Sequence, residues 1–147
     1  EEKIGGLPIN MDGFSLFSAE HPSSLPLNLA FHAAKITAPE KADDFLHNLR
    51  RATIVETRMT TRTEELAAVA EKTGIDRARF LSAFEGEEAK VALEKDLALT
   101  RRLGIRGLPA YLVSCGEKSV LIKGLAGYGD FIAAIGEVSD GEVKQTA

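Results

Sequence analysis

Thiols, imidazoles and paired carboxylates are the groups with which a chain can do chemistry, and this sequence arranges few of them usefully. Cys115 is the only cysteine, so the chain can form a mixed disulfide but has no second thiol to resolve it. It follows a candidate strand and does not open a helix, where a thiolate would be stabilised, and so reads as a structural thiol. His21, His32 and His47 are not spaced to put two imidazoles on one helix face with a carboxylate between them, and no metal site is expected. Asp43-Asp44 and Glu64-Glu65 suit helix starts, while Arg50-Arg51 and Arg101-Arg102 suit helix ends, as the macrodipole favours. No aromatic residues are interleaved with the arginines and the net charge is −4, which speaks against nucleic acid as a partner. No catalytic residue and no cofactor are expected in this chain.

What remains is a backbone motif, Leu103-Gly104-Ile105-Arg106-Gly107-Leu108-Pro109-Ala110-Tyr111-Leu112-Val113. A helical pattern stops at Gly104, which can take a left-handed conformation without steric cost. Gly107 would let the following loop bend or approach another backbone closely. Pro109 then opens an apolar run that reads as a buried strand, at the one point where its missing N–H does no harm.

Elements must hold that loop in place. At 147 residues the chain is long enough for a substantial core, and no apolar run approaches the ~20 residues that cross a membrane. Residues 1–26 are rich in glycine and proline with irregularly spaced apolar positions, and read as an extended segment laid on another surface. Two turns are expected there, at Gly5-Gly6-Leu7-Pro8 and Asn10-Met11-Asp12-Gly13. Pro22-Ser23-Ser24-Leu25-Pro26 starts a first helix with serine caps. A second follows Thr37-Ala38-Pro39-Glu40 with Phe45, Leu46, Leu49 and Ala52 at helical spacing. A third begins at Thr63 and stops at Gly74; a fourth runs from the cap Asp76 to Gly86; a fifth spans 87–103 with Ala89, Leu93, Leu97 and Leu99 or Thr100 as its stripe. Residues 110–114 and 120–123 form a hairpin around Cys115-Gly116-Glu117-Lys118. A last helix covers 130–138, with Tyr128 expected to cap it or to line a groove near Pro109, and a polar tail follows at 139–147.

Five helices followed by strand, strand and helix, with Gly104, Ile105, Gly107 and Pro109 at the junction, resemble the DsbA-like family of thioredoxin-fold dithiol-disulfide oxidoreductases. In that family a Gly-Ile/Val-x-Gly-x-Pro run carries a cis proline that faces the redox cysteines. The resemblance implies an α/β, thioredoxin-like fold of DsbA type with an all-α helical insertion and a partial sheet. It divides the chain into a lead-in at 1–22, the insertion at 23–103, the C-terminal thioredoxin half at 104–138 and the tail. It further implies a cis Leu108-Pro109 bond and a substrate-binding, peptide-binding edge formed by Gly107, Leu108 and Pro109.

The family's Cys-x-x-Cys half has no counterpart here. The chain, which opens on Glu1 and not on methionine, is therefore expected to be a trimmed piece of a longer protein or a relative that has lost that half. Under this resemblance it contributes the proline loop and a helical lid to thiol-disulfide exchange and is not redox-active alone. Its partners would be a protein or peptide thiol/disulfide substrate, or the missing N-terminal half. The same residues suit a non-catalytic adaptor or protein-binding module, and a glutathione-dependent isomerase or transferase of the kappa type. The lead-in resembles that of cytoplasmic members, making the cytoplasm the expected location. Strand 110–113 would lack one neighbour, so Leu112, Leu121, Ile122, Phe131 and Ile135 would stay partly uncovered unless Ile4–Phe17 folds over them or, the route expected here, the chain forms a homo-oligomer through the open edge.

Overall fold

The computed structural model describes residues 2–4, 7–10, 12, 14–20 and 22–139. His21, the glycines of the two N-terminal turns, and 140–147 of the tail lie outside them. The chain forms two compact units, Glu1–Lys95 and Asp96–Ala147.

In the first unit a short hairpin of β1 (Glu2–Ile4) and β2 (Leu7–Ile9) precedes the helices. An irregular segment is expected there, and the antiparallel pairing of Lys3 with Pro8 corrects that. A two-stranded sheet has only outer edges, and an edge position does not need the N–H that Pro8 lacks. The expectation of a segment laid on another surface holds further along. The Asn10 N–H donates to the Ile54 carbonyl (3.1 Å), and Thr61 Oγ1 donates to the Leu16 carbonyl (3.1 Å).

Helices follow as α1 (Leu25–Thr37), α2 (Ala42–Ile54), α3 (Thr63–Lys72), α4 (Arg77–Glu85) and α5 (Glu87–Arg102). The start of α1 is anchored by Ser23, whose Oγ accepts the Leu25 N–H (3.1 Å); Ser24 makes no side-chain cap bond. A single 3-10 turn, Pro39–Lys41, separates α1 from α2. The Asp76 carboxylate accepts the Arg79 N–H (2.8 Å) and starts α4 as the sequence indicates. At Gly74, with φ +79°, the amides of Gly74 and Ile75 reach back to Glu71 and Ala70 and end α3. Only a glycine accepts that turn without strain. The stripe expected on α5 is half covered: Ala89 is fully buried, whereas Leu97 and Leu99 are exposed.

The core of this unit is where α1 packs on α2, α3 and α4. Ala30, Ala33 and Ala34 recur at helical spacing and are fully buried, so the neighbouring helices can approach α1 closely. Phe45 and Phe80 fill the space so left, with ring centroids 5.5 Å apart and planes tilted by 45°. His32 is buried on α1 beside Phe31, while His47 is exposed, so the structure does not join them. Behind α2, buried Thr53 and Thr60 share a hydrogen bond of 2.7 Å, which satisfies both hydroxyls away from water.

The second unit holds β3 (Ala110–Cys115), β4 (Lys118–Lys123) and α6 (Tyr128–Val138). Its strands are longer than the sequence suggests. Cys115 pairs opposite Lys118, so only Gly116 and Glu117 form the turn, with Gly116 at φ +58° as a tight two-residue hairpin requires. Tyr111 on β3 meets Phe131 on α6 edge to face at 5.0 Å. Among the described residues of this unit only Ala134 and Val138 are fully buried. Among the described residues β3 pairs with β4 alone, which leaves its other edge without a strand neighbour.

Two predictions follow from the helical unit. Phe80→Ala removes a fully buried ring and should destabilise the chain by about 3–5 kcal/mol, read as a lowered urea midpoint in far-UV circular dichroism. Glu56 gathers Arg51 (3.2 Å), Lys72 (3.4 Å) and Arg58 (3.8 Å). Burial pushes its carboxyl up, but the charge of Lys72 and hydrogen bonds from Lys72 and Arg51 outweigh this and hold it below its ordinary value of 4.5. A depressed carboxylate stabilises the fold above its unfolded-state value and loses that contribution as pH falls through the folded value. Glu56→Gln should therefore lower stability at pH 7 by under about 1 kcal/mol, since the cluster is solvent-accessible. The difference between variant and parent should shrink as the same urea titration is repeated at stepwise lower pH, through that lowered value.

Candidate functional site

The loop between α5 and β3 is set by two left-handed glycines. At the end of α5 the Gly104 N–H donates to the Arg101 carbonyl (3.0 Å) and the Ile105 N–H to the Thr100 carbonyl (3.1 Å). This closes the helix in a Schellman turn with Gly104 at φ +66°. After β4, Gly124 has φ +85° and donates its N–H to the Pro109 carbonyl (2.9 Å). That bond prolongs the ladder by one step beyond the pairing of Ala110 with Lys123. The loop is thus tied at both ends by backbone, and the Leu108–Pro109 peptide between the ties is cis.

An open groove of about 530 Å³ runs along this loop, walled by residues 104–109 on one side and by Lys123 and Gly124 on the other. Gly107, Leu108 and Pro109 therefore come together as one surface. Leu108 is 88 % exposed there, a large apolar side chain held out into solvent at the mouth of a strand. Arg106, Lys123 and Gly124 join the site without having been singled out from the sequence. Strand register could have indicated Lys123, since it pairs with the first residue of β3. Leu125, next to Gly124, is 93 % exposed.

Other candidates fall away from this place. Tyr128 is 82 % exposed and begins α6; it neither lines the groove nor caps the helix. Gly127 is the N-cap, and Asp130 in the first turn reaches back to it, its Oδ2 accepting the Gly127 N–H (2.8 Å). Cys115 is exposed at the far end of the same hairpin. No group of three or more metal-ligating side chains occurs among the described residues.

Gly107 departs from the role its type suggests. Its φ is not in the left-handed region and an added Cβ would meet nothing within 4 Å, so neither bend nor close packing demands glycine there. An added Cβ at Gly104 also meets nothing within 4 Å, but the positive φ remains. Gly104→Ala should therefore cost about 1–2 kcal/mol from backbone conformation alone, while Gly107→Ala should leave the denaturation midpoint unchanged. Urea titration of the two variants side by side checks this.

The thioredoxin family model matches residues 3–131. The crystal structure of "a putative protein disulfide isomerase from Nitrosomonas europaea" superposes with a TM-score of 0.72 at 24 % identity, covering 97 % of this chain and 68 % of the other. At that identity the likeness speaks for the fold. None of the curated proteins matches the sequence. Helices ahead of a proline loop, a hairpin and a closing helix, together with the match along most of the sequence, give the conclusion: the chain belongs to the thioredoxin family and has the DsbA-like arrangement of that fold.

Proposed function

We propose that this chain binds extended segments of protein thiol/disulfide substrates at the Gly107-Leu108-Pro109 loop, as a DsbA-like component that relies on thiols outside itself for exchange. The observation that carries this is Leu108, 88 % exposed on a loop otherwise fixed by backbone hydrogen bonds. An apolar side chain held out at a strand mouth offers an anchor for a substrate side chain, and the adjacent backbone offers donors and acceptors for a strand laid beside it. The open space at Gly107 supports the same reading, because glycine there leaves room for a ligand's backbone.

The single thiol favours binding over exchange within the chain. Disulfide exchange needs an attacking thiolate and a second thiol to resolve the mixed disulfide, and Cys115 sits at the other end of β3 from the loop. The binding role therefore belongs to this chain and the redox step to another polypeptide segment. The test is titration of the chain with a fluorescein-labelled peptide of reduced, unfolded insulin B chain. Leu108→Ser should weaken binding by about tenfold, the cost of losing one buried leucine side chain, with no change in stability. The chain alone should not turn over insulin. Unaltered binding by the Leu108 variant, or turnover that survives Cys115→Ser, would overturn the proposal.

A further inference from the structure

We infer that the groove selects peptides bearing carboxylates beside an apolar residue, a specificity that rests on the peptide-binding reading above. The chain carries a net charge of −4, yet the groove lining holds two cations, Arg106 and Lys123, and no carboxylate. Its local charge is thus opposite to that of the molecule. In the helical unit Arg51 and Lys72 engage Glu56, Arg58 engages Glu65 and Arg77 engages Glu71. Among the described residues Arg106 and Lys123 have no ion-pair partner, and both are exposed. They hold nothing in the fold together, so their charge is available to a ligand.

Their placement suits one kind of ligand. Arg106 stands on the loop wall and Lys123 on the β4 wall, with Leu108 on the loop as the apolar contact. A guanidinium presents a planar fork that matches a carboxylate, whereas the ammonium of Lys123 acts as a point charge on a flexible stem. An extended peptide with an apolar residue at Leu108 and acidic residues on either side meets all three. A basic peptide of the same shape places like charges against both walls.

The test uses the full chain and three fluorescein-labelled peptides that differ only in the residues flanking a central Leu-Val: aspartate, serine or lysine. Fluorescence anisotropy should rank them Asp, Ser, Lys, with about tenfold between the extremes, since each exposed pair contributes only a few-fold. That gap should shrink when salt is raised from about 50 to about 500 mM, as screening shortens the reach of the charges. The double variant Arg106→Glu/Lys123→Glu should reverse the ranking, and circular dichroism should show it folded, because both side chains are exposed. Equal binding of the three peptides, or a ranking that survives the double reversal, would overturn the charge selection while peptide binding at the loop stands. Failure of all three peptides to bind would overturn both.

Discussion

The close approach of helices around α1 is the constraint on which the helical unit depends. Ala30, Ala33 and Ala34 present no more than a methyl group and are wholly buried, so backbone meets neighbouring helix almost directly. Ala52 on α2 and Ala67 and Ala70 on α3 repeat the device. Small side chains alone would leave the centre empty, and the volume is made up by Phe45 and Phe80, with Phe84 stacked on Phe80 at 6.2 Å. Packing of this kind tolerates little change in either direction: a larger residue on α1 has no room, and a smaller one at Phe80 leaves a void. Charged residues have no place in it and are confined to the rim, where Arg77 bridges Glu71 and Glu64 between α4 and α3.

The unit that carries the loop is held differently. Two fully buried side chains are a slender core, and what organises it is backbone: the hairpin ladder, the Schellman turn at Gly104 and the bond from Gly124 to Pro109. The two strands treat their outer edges unequally. β4 begins and ends on lysine, a common protection against unwanted strand pairing, whereas β3 reads Ala-Tyr-Leu-Val-Ser-Cys without a charge or an interior proline. An edge of that composition is suited to receive another strand, and Leu112 on it is half exposed.

The sequence made the helical unit legible because its punctuation is chemical. Gly74 and Gly104 end helices where expected and Asp76 starts one, since left-handed turns and N-caps select residue types strongly; Gly86 ends α4 in an extended conformation, where an added Cβ would come within 3.1 Å of the Ser82 carbonyl. The proline loop was legible for the same reason. The β1–β2 hairpin was not, because three-residue strands containing Pro8 give no alternation to read. Nor were the buried Thr53–Thr60 pair and the cluster on Glu56, which join residues whose sequence patterns carry no sign of the contact. At the site, glycine misled once: Gly107 was read for its conformational freedom, but its backbone does not require glycine. Arg106 and Lys123 were passed over because a lone surface cation has no pattern until the fold shows what stands across from it.

That last point separates two kinds of information in the site. The position of the loop is written in backbone geometry, through Gly104, Gly124 and Pro109, and would survive many side-chain changes around it. What the loop presents to solvent is written in side chains that take no part in folding: Leu108 makes no core contact, and Arg106 and Lys123 make no ion pair among the described residues. A residue that stabilises the fold cannot be altered freely to suit a ligand, because its loss is felt throughout the packing. A residue held out by a rigid frame can. The division found here, frame from backbone and surface from uncommitted side chains, lets one fold present different binding chemistries at the same loop.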